Sequence, residues 1–404
     1  MLDASSPSDG SDHEGVQPVS IDINTPPILR FGAGSVDSIG ELLKTLGAER
    51  PIVVTDGFLV STGVAARVAD ALTAAGLQAS VYDGTIPDPT TASLETGLEA
   101  IRAHEADSIV ALGGGSPIDT AKALSVLAVR GGHMRELKAP FQFVGPALPV
   151  IAVPTTAGTG SEVTQFTIIT DSETNEKMLC AGPGYLPKAA VVDFELTVSM
   201  PPRLTADTGI DALTHAIEAY VSRKANPISD TYALAAISRI GRYLRRAYRD
   251  GSDREAREEM MTAATLAGMA FSNASVALVH GMSRPLGAHF HIAHGMANAM
   301  LFAEITAFSV EHAVERYATC ARTLGVASDA DSDAAAADAL VQELRTLARE
   351  VEVPTPATRG IDRAEWDERV PVMAQQALAS GSPNNNPRVP TAEEIEQLYA
   401  AIYE

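Results

Sequence analysis

Residues 108–122 read SIVALGGGSPIDTAK. An apolar, β-branched run stops at three consecutive glycines, and a helical pattern opens at Pro117. A strand that passes into a helix through a glycine turn is the building unit of a parallel sheet. Gly113, Gly114 and Gly115 allow positive φ and let a ligand approach the backbone. Ser116 suits the N-cap, Pro117 the first helical position, and Asp119 can return a bond to the cap. The free N–H groups and the positive helix end would then face outward, as in a phosphate site. Ile118 stands where the third glycine of a GxGxxG fingerprint would be, and the run is not a P-loop either. Taken alone the run is ambiguous, a simple tight turn being the lesser reading.

The same alternation extends outward from this segment. Short β-branched runs at 52–55 and 79–82 are followed by helical stretches at 64–75 and 94–103, and further extended segments lie at 150–153, 166–170 and 190–192. After Pro201-Pro202 the strands stop. Apolar residues then recur at helical spacing, as in Ala233, Leu234, Ile237 and Ile240, or Met260, Ala263, Leu266 and Ala267. The expected fold is an α/β nucleotide-binding domain over residues 25–201, followed by an all-α metal-binding domain over 202–404. Residues 1–24, rich in Ser, Asp, Gly and Pro, read as a disordered tail. Residues 382–390 read as a loop, and a last helix is expected from Thr391, a good N-cap ahead of Glu393 and Glu394.

Composition narrows the function classes. Thirty basic against 51 acidic residues give a formal charge of −21, which repels phosphate backbones and argues against nucleic-acid binding. No apolar run reaches the roughly 18–20 residues of a membrane span, and the first residues carry no signal or transit pattern, so a cytoplasmic location is expected. Cys180 and Cys320 lack CxxC spacing and read as packed, inert thiols rather than as a disulfide or zinc–thiolate site.

A second small-residue loop, PTTAGTGSE at 154–162, also follows a strand, and its hydroxyls suit contacts to a ribose, a phosphate or a carboxamide. Open α/β sheets bind ligands at the carboxyl ends of their strands, where both loops fall. Asp56 closes the 52–55 strand, where a carboxylate can accept from an adenosine ribose and would repel a 2′-phosphate. That favours NAD(H) over NADP(H).

Four of the nine histidines, His280, His289, His291 and His294, fall within fifteen residues, and His215 follows Asp211 by four. Positions i and i+4 share a helix face, so Asp211 and His215 can address one ion. On one continuous helix His280 and His294 would lie about 21 Å apart, but Pro285 and Gly287 between them can fold the chain back. One carboxylate and three imidazoles form a nitrogen/oxygen set suited to Fe²⁺ or Zn²⁺. The bland alternative is a buried Asp–His hydrogen bond with scattered surface histidines.

Together these segments resemble the iron-containing (group III) alcohol dehydrogenases, related in fold to dehydroquinate synthase and glycerol dehydrogenase. The resemblance runs from about Phe31 to the end of the chain. It is carried by GGGSPIDTAK at 113–122, PTTAGTGSEVT at 154–164, GIDALTHAIEAY at 209–220, VHGMSRPLGAHFHIAHG at 279–295 and the late Asn386-Pro387-Arg388. It implies that Asp211, His215, His280 and His294 hold the metal. It implies further that the glycine run, with Ser116 and Asp119, holds the pyrophosphate, and that Asp56 and Asp88 sit by the adenosine ribose. Thr155, Thr156, Thr159 and Ser161 would line the nicotinamide side, with Lys177 and Leu204 completing the pocket. A homodimer or higher homo-oligomer is expected, the sequence itself leaving the number of subunits open.

Two departures from the family pattern stand out. Arg284 occupies the position where many members carry a second histidine, so a proton-relay role for that histidine does not transfer. The usual Asp-Pro-x-Leu-Thr is here DFELT at 193–197. The implied activity is hydride transfer between C4 of the nicotinamide and a small alcohol or aldehyde, with the metal as Lewis acid. Arg284 is a candidate anchor for an anionic tail on the substrate. Three alternatives stay open: a lyase of the same fold that uses NAD transiently, a transhydrogenase with bound cofactor, and a metal- and nucleotide-binding protein without turnover.

Overall fold

The computed structural model describes residues 20–404. Most of the expected tail therefore lies outside the described residues. Asn24, at the end of that tail, is held by two hydrogen bonds to Asn273.

Eight strands form two sheets: β1 (Ile28–Phe31), β2 (Pro51–Val54), β3 (Ser80–Tyr82), β4 (Ser108–Gly113), β5 (Val150–Pro154), β6 (Phe166–Thr170), β7 (Lys177–Ala181) and β8 (Ala189–Val192). Six make a wholly parallel sheet in the order β1-β8-β5-β4-β2-β3. The central strands β2, β4, β5 and β8 are buried along their whole length, which is why they read as continuous apolar runs. Successive side chains face opposite layers. Ile52, Ile109 and Ala111 pack under α4 (Ser93–His104) and α5 (Gly115–Arg130) through Leu94, Ile118 and Leu124. Val53, Val110 and Leu112 pack under α1 (Ile39–Thr45) and α3 (Val64–Ala74) through Leu43, Val68 and Leu72, with the single-turn α2 (Gly57–Ser61) ahead of α3. The strand order reverses between β2 and β4, so the crevice at their carboxyl ends is the place where such sheets take ligands.

The segment at 166–170, expected as one more extended run, is not part of this sheet. It pairs antiparallel with β7 as a separate hairpin. β7, with its Lys, Met and Cys, and the edge strand β1 were not evident as strands in the sequence.

From Pro202 onward the described chain is helical: α6 (Pro202–Val221), α7 (Pro227–Arg249), α8 (Arg254–Ala274), α9 (Leu278–Phe290), α10 (His294–Ser309), α11 (Val314–Leu324), α12 (Asp333–Glu350), α13 (Arg363–Ala379) and α14 (Ala392–Ala401). Thr391 caps α14 in a reciprocal capping box with Glu394. One core joins α6, α7, α8 and α10 through residues such as Leu213, Ile217, Ile237 and Met260. Among the described residues no single helix is long and apolar enough to cross a membrane.

The two halves lock through the loop after β5. A Cβ on Gly158 would sit 2.7 Å from the Thr208 carbonyl on α6, and one on Gly160 would sit 2.5 Å from the Gly268 Cα on α8. These glycines permit backbone-to-helix contact, a packing duty that a reading of the loop as a ligand contact overlooks.

Candidate active site

A cavity of about 380 Å³ lies between the carboxyl ends of the strands and the helices α6, α9 and α10, within the range of small-molecule sites. Two groups of side chains meet in it.

The first belongs to the helical half. Asp211 and His215 lie one turn apart on buried α6, His280 lies in the first turn of α9, and His294 opens α10. One donor atom from each lies within 4.8 Å of every other. The Nε2 atoms of His215, His280 and His294 stand 3.9, 3.7 and 3.7 Å from Asp211 Oδ1. These separations exceed hydrogen-bonding distance, yet they are close to the spacing of donors that share an ion bound at about 2.1 Å. His215 Nδ1 is buried without a partner. Burial pushes the His215 imidazole down to about 3 and the His294 imidazole down to about 4, so both are neutral at pH 7 with lone pairs available. Burial alone would raise the Asp211 carboxyl, but the surrounding imidazoles outweigh it and hold it well below the usual range. At His280 burial is outweighed by the Glu218 and Asp211 carboxylates, which hold its imidazole above the ordinary value. An ionised carboxylate facing three imidazoles beyond hydrogen-bonding distance fits a divalent cation of the Fe²⁺ or Zn²⁺ type.

Side chains that sequence reasoning missed hold this cluster in place. Glu218, one turn beyond His215, accepts from the Ala277 and Val279 N–H groups at 3.0 and 2.6 Å and meets His280 Nδ1 at 2.6 Å. It thereby ties the start of α9 to α6 and turns His280 Nε2 toward Asp211. Phe271 stacks on His215 with ring centroids 4.2 Å apart. The Asn298 amide donates to Asp211 Oδ1 at 2.6 Å and lies 3.1 and 3.2 Å from the His280 and His294 Nε2 atoms. Glu218 at i+7 from Asp211 and Asn298 at i+4 from His294 each repeat a spacing that could have flagged them.

The fold-back joining His280 to His294 differs from expectation. Helix α9 runs through Pro285 and ends at His291, a non-glycine residue at φ 52°; the turn is at 291–293.

The second group belongs to the α/β half. Gly114, Gly115, Ser116 and Asp119 line the cavity at the start of α5. The helix begins two residues earlier than expected: Gly114 is its N-cap, with no side-chain cap bond, and Pro117 falls within the first turn, where its missing N–H costs nothing. Ser116 is therefore not the cap, and its hydroxyl accepts from the Asp88 N–H at 3.3 Å. Asp119 does not return to the cap either. Its carboxylate takes the Ser161 hydroxyl at 2.7 Å and the Ile168 N–H at 3.0 Å, bracing the loop and the hairpin. Gly113 stays behind the cavity wall. Its φ of +151° and the 2.4 Å that would separate a Cβ from Pro117 Cγ both require glycine.

Thr156, Thr159, Ser161, Lys177 and Leu204 line the cavity, whereas Thr155 is buried behind it with its N–H on the Gly113 carbonyl. Lys177 Nζ pairs with Asp88 at 2.7 Å. Asp56 is outside the lining: it caps α2 by accepting from the Leu59 N–H at 2.9 Å, at the carboxyl end of β2 across the crevice from the glycine turn. Arg284 lines the cavity one turn after His280, with Nη1 3.2 Å from Ser382 Oγ.

Comparison with known proteins gives this arrangement its family. The iron-containing alcohol dehydrogenase model matches residues 26–194, and the C-terminal model of the Fe-containing alcohol dehydrogenase family matches residues 205–403. The chain belongs to the iron-containing alcohol dehydrogenase family. It is 39% identical over 91% of its length to lactaldehyde reductase of Escherichia coli K12, of which 96% is covered. It is 37% identical over 92% of its length to the NAD-dependent methanol dehydrogenase of Bacillus methanolicus, of which 97% is covered. The solved alcohol dehydrogenase from Oenococcus oeni superposes with a TM-score of 0.91 at 34% identity, over 95% of this chain and all of that one. As an iron-containing alcohol dehydrogenase the chain is an oxidoreductase. Its α/β-plus-helical fold is that of its solved relatives.

Proposed function

We propose that this protein is a metal-dependent alcohol dehydrogenase or aldehyde reductase that moves a hydride between NAD(H) and a small primary alcohol or aldehyde. The observation that carries this reading is one cavity lined by both a four-donor cluster and a helix N-terminus. Asp211, His215, His280 and His294 would hold Fe²⁺, the donor set also accepting Zn²⁺. Bound there, the ion supplies Lewis acidity to the substrate oxygen.

The chain's own residues do the remaining work. Glu218 fixes the His280 ring, and Phe271 and the packed α6 wall keep water from the His215 side. The N–H groups at the start of α5 would bind the pyrophosphate. Thr156, Thr159 and Ser161 would face the nicotinamide, aligning its C4 with the substrate carbon. The names of the relatives support small substrates. With Arg284 at the position of the family's second histidine, the proton would travel through water or a ribose hydroxyl. The reading is tested by following absorbance at 340 nm with iron-loaded protein, NAD⁺ and a panel of short alcohols. Net NADH formation separates it from a lyase or a transhydrogenase, and no turnover across the panel would contradict it.

The cofactor choice rests on Asp56, which together with the glycine turn flanks the switch-point crevice. Both cofactors occur among relatives, one of which is an NADPH-dependent butanol dehydrogenase. Asp56→Gly is expected to improve kcat/KM with NADPH relative to NADH by at least about tenfold by removing one repulsive contact. Glycine at an N-cap costs only a few tenths of a kcal/mol, so stability should hardly move. A wild-type preference for NADPH would refute the assignment.

A further inference from the structure

The cavity contains a cation without an anion. Apart from the histidines, two basic side chains line it, Lys177 and Arg284. Lys177 is neutralised by Asp88 at 2.7 Å. Arg284 has no carboxylate within 4.0 Å among the described residues; its Nη1 reaches only the Ser382 hydroxyl, and its Nε is buried without any partner. The acids nearby are committed elsewhere. Asp207 pairs with Arg203 at 2.6 Å, Asp119 holds Ser161 and the Ile168 N–H, Asp211 sits among the three histidines, and Glu218 holds His280 with two backbone N–H groups. Arg284 is half-buried, and a guanidinium that turns an unpartnered Nε away from water without an anion beside it is costly. In a chain with 51 acidic residues, a local partner would be easy to supply.

We propose that the missing partner is the substrate, and that the enzyme prefers short aldehydes or alcohols ending in a carboxylate. This rests on the dehydrogenase reading above and names its substrate class. Arg284 follows His280 by four residues on α9, so the two share a face and stand about 6 Å apart along the axis. A carbonyl oxygen placed at the Asp211/His cluster and an acid group on Arg284 are then separated by about two to four carbons at that helical rise. The planar fork of the guanidinium matches a carboxylate in bidentate fashion, which Lys177 could not do even if it were free.

The test compares 4-oxobutanoate with 4-oxopentanal, a neutral aldehyde of the same size, as substrates for the iron-loaded enzyme with NADH. Wild type should favour the acid in kcat/KM by at least about tenfold, and Arg284→Gln should lower that ratio by about 30-fold or more, chiefly through KM for the acid. Arg284→Lys should restore part of the preference. Iron content and unfolding midpoint, measured on each variant, show that the change is not a loss of fold. Wild-type indifference to the acid overturns the inference, and so does a Gln variant whose loss falls on KM for NADH, which would assign the guanidinium to the cofactor phosphates. In both of those cases the dehydrogenase reading survives. Failure to reduce either aldehyde with iron and NADH bound would overturn the dehydrogenase reading itself, and the inference with it.

Discussion

His280→Ala is expected to purify folded, with little iron, and with kcat/KM for any aldehyde it reduces lowered by about 10³-fold or more, as the loss of a metal-ion Lewis acid implies. The size of the effect follows from geometry. His280 Nε2 is one of four donors converging within 4.8 Å, and its other nitrogen is locked by Glu218 at 2.6 Å. Alanine removes the donor but leaves Glu218 its two backbone N–H partners at Ala277 and Val279, so the start of α9 keeps its tie to α6. Glu218→Gln provides a graded companion. It keeps every metal donor but offers one acceptor oxygen where Glu218 offers two, so it loosens the His280 ring and the tie between α9 and α6, and a loss of about 10–100-fold in metal affinity is expected. Metal analysis and far-ultraviolet circular dichroism on both variants check the pair. Full iron and full activity in His280→Ala would remove His280 from the ligand set.

Lys122→Met is expected to lower stability by about 1–3 kcal/mol, the usual cost of leaving buried hydrogen-bond acceptors unsatisfied. Lys122 is fully buried, and its ammonium donates to the Thr164 and Phe166 carbonyls at 2.9 Å, to Thr164 Oγ1 at 3.0 Å and to Ser161 Oγ at 3.2 Å. It therefore pins the loop after β5 and the start of β6 to α5. Burial brings its pKa down to about 8, against the opposing pull of Asp119 and Glu162. Those two carboxyls are themselves held above their ordinary range by burial. An acid whose folded-state pKa is raised loses stability as pH climbs above its unfolded value, and removing the ammonium enlarges that penalty. The deficit of Lys122→Met should accordingly be larger at pH 7 than at pH 5. Urea unfolding at both pH values is the check, and a midpoint indistinguishable from wild type at pH 7 would show that the network is not structural.

The parts of the fold that could be read from the sequence are those with the plainest periodicity. β2, β4 and β5 are buried on both faces, so their apolar runs are uninterrupted, and the glycine turn marks where β4 yields to α5. β7 was hidden because two of its five residues, Lys177 and Leu179, face the cavity, and its Lys, Met and Cys have little strand character. Asp211 and His215 were legible because a single helix fixes their relation. The meeting of His280 with His294 depended on a turn whose location the sequence misstated: proline is the expected helix breaker, but α9 passes through Pro285 and stops at His291. Glu218 was overlooked although it shares a helix face with both α6 donors. Lys122 was overlooked because lysine is ordinarily a surface residue. Asp119 was assigned to a cap when its real contacts, Ser161 and Ile168, lie more than forty positions away, beyond the reach of any local pattern.

The central claim is that Asp211, His215, His280 and His294 hold one catalytic ion beside the nucleotide cleft. Protein purified without air, stripped by chelation and then titrated with Fe²⁺ tests it most directly, with bound iron and NADH-dependent reduction of a short aldehyde measured on the same samples. Activity should rise linearly with iron and reach its plateau at about one ion per chain, the number a single four-donor site takes. Stripped protein that reduces the aldehyde at the full rate, or iron that binds in equal amount to His280→Ala, would contradict it.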